Sequence, residues 1–178
     1  MDGRRDGDVA EGHGEALAHP PLARKGLLLR RRSATQGGMD RKRIGVILCG
    51  SGHRDGSEIH EATLALLAIG RAGAEAICFA PRGAQQRVCD HVTGKEVDDR
   101  RDMMTESARI ARGRIRDLAL AHAADLDAIV IPGGQGAAVN LSTFSAEGEH
   151  CTVHPELARL VREMVEAGKP VGAMCIAP

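Results

Sequence analysis

Aromatic side chains are nearly missing from this 178-residue chain, which has two Phe and neither Trp nor Tyr. Its core must therefore be aliphatic, and a surface that stacks nucleic-acid bases is not expected. Net charge is also missing: 24 Lys and Arg balance 24 Asp and Glu. The balance is uneven along the chain. Residues 1–43 hold ten basic and six acidic residues, and the remainder holds fourteen and eighteen. A mildly acidic main part offers no basic stripe for phosphate backbones, so no nucleic-acid partner is expected. No run of about 18 apolar residues occurs, which leaves no candidate transmembrane helix and no expected membrane partner. Paired CxxC motifs are absent too. Five irregularly spaced Cys do not make a disulfide framework and suit a reducing compartment with free thiols. What is present, 43% hydrophobic and 27% charged residues, is enough for one globular domain with a real core.

Residues 1–42 differ from the rest. They are rich in Gly, Arg and small residues, carry Pro20-Pro21 and Arg30-Arg31-Arg32, and read as a disordered N-terminal extension. Their Arg content raises a mitochondrial transit peptide as an alternative, but Asp2, Asp6, Asp8, Glu11 and Glu15 oppose it. An upstream start, with Met39 as the natural first residue, accounts for them better.

From Arg43 onward, apolar runs alternate with helical patterns. Strands are expected at 44–48, 75–80, 127–131 and 171–174. Helices are expected at 57–71, 105–112, 116–121 and 156–166, while 82–101 stays unassigned and a long loop follows Gly134. Ile59, Ala62, Leu66 and Ile69 mark the apolar face of the first helix. Pro155 opens the last helix and Gly168 follows it. Strands apolar throughout, alternating with helices, predict an α/β fold with a parallel sheet covered on both faces. Such sheets hold ligands beyond the carboxyl ends of their strands. Three of those ends carry chemistry here: Gly50–Glu61, Gly133–Gly136 and Cys175. The chain stops just after the last strand, where a covering helix is expected, so it reads as a piece truncated at the C-terminus.

Cys175 sits in a strand-to-helix turn after the small Gly172 and Ala173, as in a nucleophile elbow, although local sequence alone favours one more buried Cys. Cys49 and Cys78 lie inside apolar runs and are packing residues. Pro132-Gly133-Gly134 can turn backbone N–H groups toward an anion and supply half of an oxyanion hole, or be a plain turn. Glu61, one turn into the first helix, can aim a carboxyl group at the same edge or stay solvated. Glu58 competes with it, but Asp55-Gly-Ser-Glu58 matches a capping box and gives Glu58 a structural task. His150-Cys151-Thr-Val-His154 lacks a second ligand pair and reads as a loop. His53 and His60 flank the acidic region without a firm assignment.

Together these segments resemble a known family. Arg43–Gly56 (RIGVILCGSGHRDG), Ser57–Ala62 (SEIHEA), Ala128–Gly134 (AIVIPGG), Ala137–Leu141 (AAVNL), Glu149–Val153 (EHCTV) and Gly168–Pro178 (GKPVGAMCIAP) are similar to the ElbB-type isoprenoid-biosynthesis glyoxalases. These lie in the ThiJ/PfpI group of the class I glutamine-amidotransferase-like superfamily, and the resemblance covers 42–178. It implies a flavodoxin-like three-layer sandwich over 43–178 and a cysteine-based site without a cofactor or metal. By the same resemblance the nucleophile is Cys175 and the proton-shuttling acid is Glu61. The oxyanion donors are the N–H groups of Gly134 and Ile176, beside Gly133. The family's His lies downstream of the Cys, beyond this chain. The implied activity is a cytoplasmic, glutathione-independent glyoxalase turning glyoxal or methylglyoxal into glycolate or lactate, in a possible homodimer. Removal of sugar adducts or another hydrolysis at the same Cys is the alternative enzyme, and a redox-sensing or chaperone-like protein the non-enzymatic one.

Overall fold

A computed structural model describes residues 41–178. The expected disordered extension 1–42 lies outside the described residues, apart from Arg41 and Lys42. The strands are β1 (Arg43–Ile47), β2 (Glu75–Ala80), β3 (Val88–Cys89), β4 (Glu96–Val97), β5 (Ile115–Asp117), β6 (Ala128–Ile131) and β7 (Val171–Ala173). The helices are α1 (Ile59–Arg71), α2 (Met103–Ile110), α3 (Gln135–Val139), α4 (Phe144–Glu147) and α5 (Pro155–Glu166). Five strands form one parallel sheet in the order β5-β2-β1-β6-β7, and β3 and β4 pair as a small antiparallel hairpin. Without the three-residue edge strand β5, the order reads second, first, third, fourth, which is the flavodoxin-like start.

Alternation along the strands sorts their side chains to two faces. Ile47, Cys49, Ile77, Phe79 and Ile129 join Leu157, Leu160 and Met164 of α5 in one core cluster. Val46, Leu48, Cys78 and Ala80 join Ala62 and Ile69 of α1, with Ile110 of α2 packed alongside, in the other. The sheet is thus the middle of three layers, and burying one Leu such as Leu160 contributes about 1.5–3 kcal/mol. α5 begins on His154 and Pro155 and ends at Gly168, whose φ of 64° only Gly adopts freely.

The structure corrects five local expectations. Residues 116–121 are not a helix. Cys78–Ala80 recruit Ile115–Asp117 as a parallel edge strand, and only a 3₁₀ turn at Leu118–Leu120 follows, capped by Asp117. The segment after Gly134 holds the short helices α3 and α4 instead of continuous loop. α1 starts two residues later than expected: Ser57 turns inward, and Glu58 itself is the N-cap, accepting the Glu61 N–H at 2.7 Å. The capping box starting at Asp55 therefore does not form, because the Asp55 carboxylate is buried and accepts the Cys89 N–H instead. Ile59 leaves the apolar face of α1 and is 44% exposed.

Candidate active site

All five strands of the main sheet run the same way, so β1, β6 and β7 end on one edge. Beyond that edge the chain must turn sharply three times. β1 runs on through Leu48 into Cys49–Ser57, β6 into Pro132–Gly134, and β7 into Met174–Ala177.

The β1 turn is tied down by buried polar groups. The Cys49 N–H donates to Ser57 Oγ at 3.0 Å, and the Gly50 N–H to Ser107 Oγ of α2 at 2.7 Å. Asn140 Nδ2 donates to Cys49 O at 2.9 Å and to Asp55 O at 2.8 Å, and Gln85 Nε2 also reaches Asp55 O. Buried backbone groups must find partners, and here Ser57 within the turn and side chains from three distant segments provide them. The result is a fixed platform under Gly56 and Glu58.

The β6 turn packs directly on that platform. The Glu58 N–H donates to Gly133 O at 2.8 Å, and the Gly133 N–H donates to Glu61 Oε2 at 2.7 Å. Gly134 holds φ at 97°, and a Cβ on it would lie 2.5 Å from both Gly56 O and Glu58 N. Only a residue without a side chain fits.

Cys175 is the third component. Its φ is 56°, one of two positive values among the described non-glycine residues. That conformation costs on the order of 1–3 kcal/mol and persists only where the surroundings impose it. A turn closed by the Ala177 N–H donating to Met174 O imposes it here, and Met174 is held in turn through its N–H to Ile131 O. Cys175 is exposed, whereas Cys49 and Cys78 are buried. Burial pushes the Cys49 thiol up to about 12 and the Cys78 thiol to about 11, so both stay protonated and unreactive at neutral pH.

The three turns meet at Gly133. A Cβ placed there would lie 2.5 Å from Cys175 Cβ and 2.8 Å from Glu61 Oε2. The thiol-bearing side chain and the carboxylate are thus neighbours across a glycine that has to be bare. Glu61 has one oxygen on the Gly133 N–H, and among the described residues the other accepts no hydrogen bond. Among the described residues neither the Gly134 nor the Ile176 N–H donates a hydrogen bond within the protein. Both residues line a pocket of about 500 Å³ with Cys175, His53, Arg54 and Glu58. Gly133 differs from its expected neighbours: its N–H is spent on Glu61, so it positions the acid and cannot itself be an anion donor.

The remaining candidates separate. Glu58 lines the pocket, but Glu61 N–H and His60 occupy its carboxylate. Burial alone would raise its pKa, yet those hydrogen bonds hold it below the usual carboxylate range. His53 lines the pocket with its ring edge-on to His91, 5.1 Å between centroids, while His60 is exposed. His154 caps α5 and His150 pairs with Glu149 on the surface. Among the described residues no group of three or more His, Cys, Asp or Glu is arranged to hold a metal. Sequence reasoning missed Asn140, Ser107 and Gln85, which fix the platform from 30 or more residues away, and Arg54 and Gln135 on the pocket wall. Arg54 stands in the Gly50–Glu61 segment, Gln135 in Gly133–Gly136 and Asn140 in Ala137–Leu141, all already singled out, whereas nothing in the sequence marks Ser107 or Gln85.

A strained cysteine after a parallel strand, a carboxylate from the first helix and free N–H groups on the neighbouring turns thus gather at one edge of an α/β sheet. Comparison with known proteins finds similar chains. The chain is 50% identical over 137 residues to the human glutamine amidotransferase-like class 1 domain-containing protein 3, mitochondrial, covering 76% of this chain and 51% of that protein. It is 48% identical over 139 residues to the rat ES1 protein homolog, mitochondrial, covering 78% and 52%. A crystal structure of an isoprenoid biosynthesis protein with an amidotransferase-like domain from Ehrlichia chaffeensis superposes with a TM-score of 0.73 at 43% identity, over 76% of this chain and 64% of that one. No family model matches the chain. Its homologues are thus glutamine amidotransferase-like class 1 domain proteins, and it spans about half the length of the curated relatives it matches.

Proposed function

We propose that the protein is a glutathione-independent glyoxalase acting on 2-oxoaldehydes, with Cys175 as nucleophile and Glu61 as proton carrier. The observation that carries the reading is the contact across Gly133, which sets an exposed, conformationally strained Cys175 beside the Glu61 carboxylate. The Cys175 sulfur adds to the aldehyde carbon, and the carbonyl oxygen takes up a proton to give a hemithioacetal. Glu61 removes the proton from that carbon, and an enediol forms. Reprotonation at the neighbouring carbon leaves a 2-hydroxy thioester, which water hydrolyses to the 2-hydroxy acid, releasing the thiol. The substrate's aldehyde is oxidised and its ketone reduced, so no outside oxidant is required. Gly134 and Ile176 N–H groups face the oxyanion at the addition and hydrolysis steps.

The test is methylglyoxal consumption by the whole protein without glutathione. Cys175→Ala is expected to abolish it, and Glu61→Gln to slow it by roughly 10²–10⁴-fold, the usual worth of general acid–base help. Turnover retained in Cys175→Ala would overturn the mechanism. The word mitochondrial in the names of the human, rat and zebrafish relatives supports a mitochondrial location over a cytoplasmic one.

A further inference from the structure

The Cys175 pocket does not end at Arg54. A second depression, of about 420 Å³, adjoins it and is lined by Arg54, Arg87, Gly94, Glu96 and Gln135, among others. Arg54 and Gln135 line both, so the two form one trough leading away from the thiol. Two guanidinium groups face it, and neither pairs with a carboxylate among the described residues.

Both cations are set in place by the fold. A Cβ on Gly94 would lie 3.1 Å from Arg54 Cζ and 3.2 Å from each of its Nη atoms. Three nearly equal distances mean that the guanidinium lies face-on against the backbone of Gly94, with its N–H edge left over. Among the described residues the Arg54 side chain donates no hydrogen bond. Arg87 donates from Nη2 to Arg54 O at 3.2 Å, while its Nε is buried and has no partner. A buried donor without an acceptor is costly and needs a reason. The acidic residues nearby do not supply one. Glu58 is occupied by Glu61 N–H and His60, and Glu96 accepts no hydrogen bond from either arginine.

We infer that this trough seats an anionic group, a carboxylate or phosphate, at the far end of the carbonyl substrate that Cys175 attacks. The inference rests on Cys175 as nucleophile and deepens that reading: the preferred substrate is an aldehyde with an acidic tail, not neutral methylglyoxal. Paired guanidinium groups suit such oxyanions because their planar donors engage two oxygens at once.

Two small alkylating agents that differ in charge test it. Iodoacetate and iodoacetamide both transfer their CH₂ carbon to the thiolate and release iodide. Their rates at Cys175 in the whole protein are followed by peptide mass. The iodoacetate-to-iodoacetamide rate ratio is expected to fall about tenfold in Arg54→Met and in Arg87→Met, less in Arg54→Lys, with the iodoacetamide rate little changed. A ratio unaltered in both Met variants overturns the inference, as does a loss equal for both reagents. A Cys175 inert to iodoacetamide would overturn the nucleophile reading alone, because the anion seat has its own readout. Inorganic phosphate should shift the Arg87 Nε–H resonance in the wild-type protein and not in Arg54→Met. No shift in the wild type overturns the seat.

Discussion

A single methyl group has no room at Gly133. Two of the atoms it would meet belong to the proposed nucleophile and acid, and a third is Met174 O at 2.8 Å, a backbone atom that cannot swing aside. Gly133→Ala is therefore expected to push the Cys175 turn away from Glu61. Stability should fall by about 1–3 kcal/mol, the usual cost of overpacking, and turnover should fall well beyond what that loss explains. Thermal melting and kcat measured side by side check it, and an active, unshifted variant would refute the contact. Asn140 is the opposite case, a side chain that does three things at once. It donates to Cys49 O and Asp55 O and accepts the Gln86 N–H at 2.9 Å. Asn140→Ala strands the Cys49 carbonyl and the Gln86 N–H, leaves Asp55 O to Gln85 alone, and is expected to cost about 1–3 kcal/mol in chemical denaturation, since orphaned buried groups pay their full desolvation. A loss under half of that would mean water replaces the amide.

At the scale of elements, α2 illustrates how a distant helix supports the site. It carries Ser107, which holds the Gly50 N–H, and it starts on Asp102, whose carboxylate accepts from Thr105 N, Thr105 Oγ1 and Gly83 N. Partial burial would raise the Asp102 pKa, but those hydrogen bonds outweigh it and keep the group below the usual carboxylate range. A carboxyl whose pKa is lowered on folding adds stability above its unfolded value, near 3.9, and that stability is lost as pH falls through the folded value. Asp102→Ala should thus cost about 0.5–1 kcal/mol at neutral pH, the low end for an exposed cap, and almost nothing in acid below the folded pKa. Urea titrations at both pH values check the difference. The same element scale separates what was legible in the chain from what was not. Ile44–Leu48, Glu75–Ala80 and Ala128–Ile131 could be read as strands because burial on both faces leaves an unbroken apolar run. Ile115–Asp117 could not, because an edge strand of three residues is decided by the neighbouring Cys78–Ala80 ladder and not by its own pattern. Cys175, Glu61 and the two Gly of the β6 turn were legible as candidates since strand ends are where a parallel sheet places chemistry. Their meeting at Gly133, and the diversion of the Gly133 N–H to Glu61, depend on approaches of a fraction of an ångström that spacing does not encode.

For the molecule as a whole, the site is a product of long-range closure. The hydrogen bond from Gly133 to Glu61 joins residues 72 apart, and that from Asn140 to Cys49 joins residues 91 apart. Parallel pairing of β1 with β6 requires the same closure. Such contacts are made only after the entropy of large loops has been overcome, which slows folding. The consequence is a schedule. During synthesis Glu61 leaves the ribosome long before Cys175 does, and the two become neighbours only when β7 pairs with β6. The proposed nucleophile is therefore kept apart from its proposed proton carrier until the strands between them are in place.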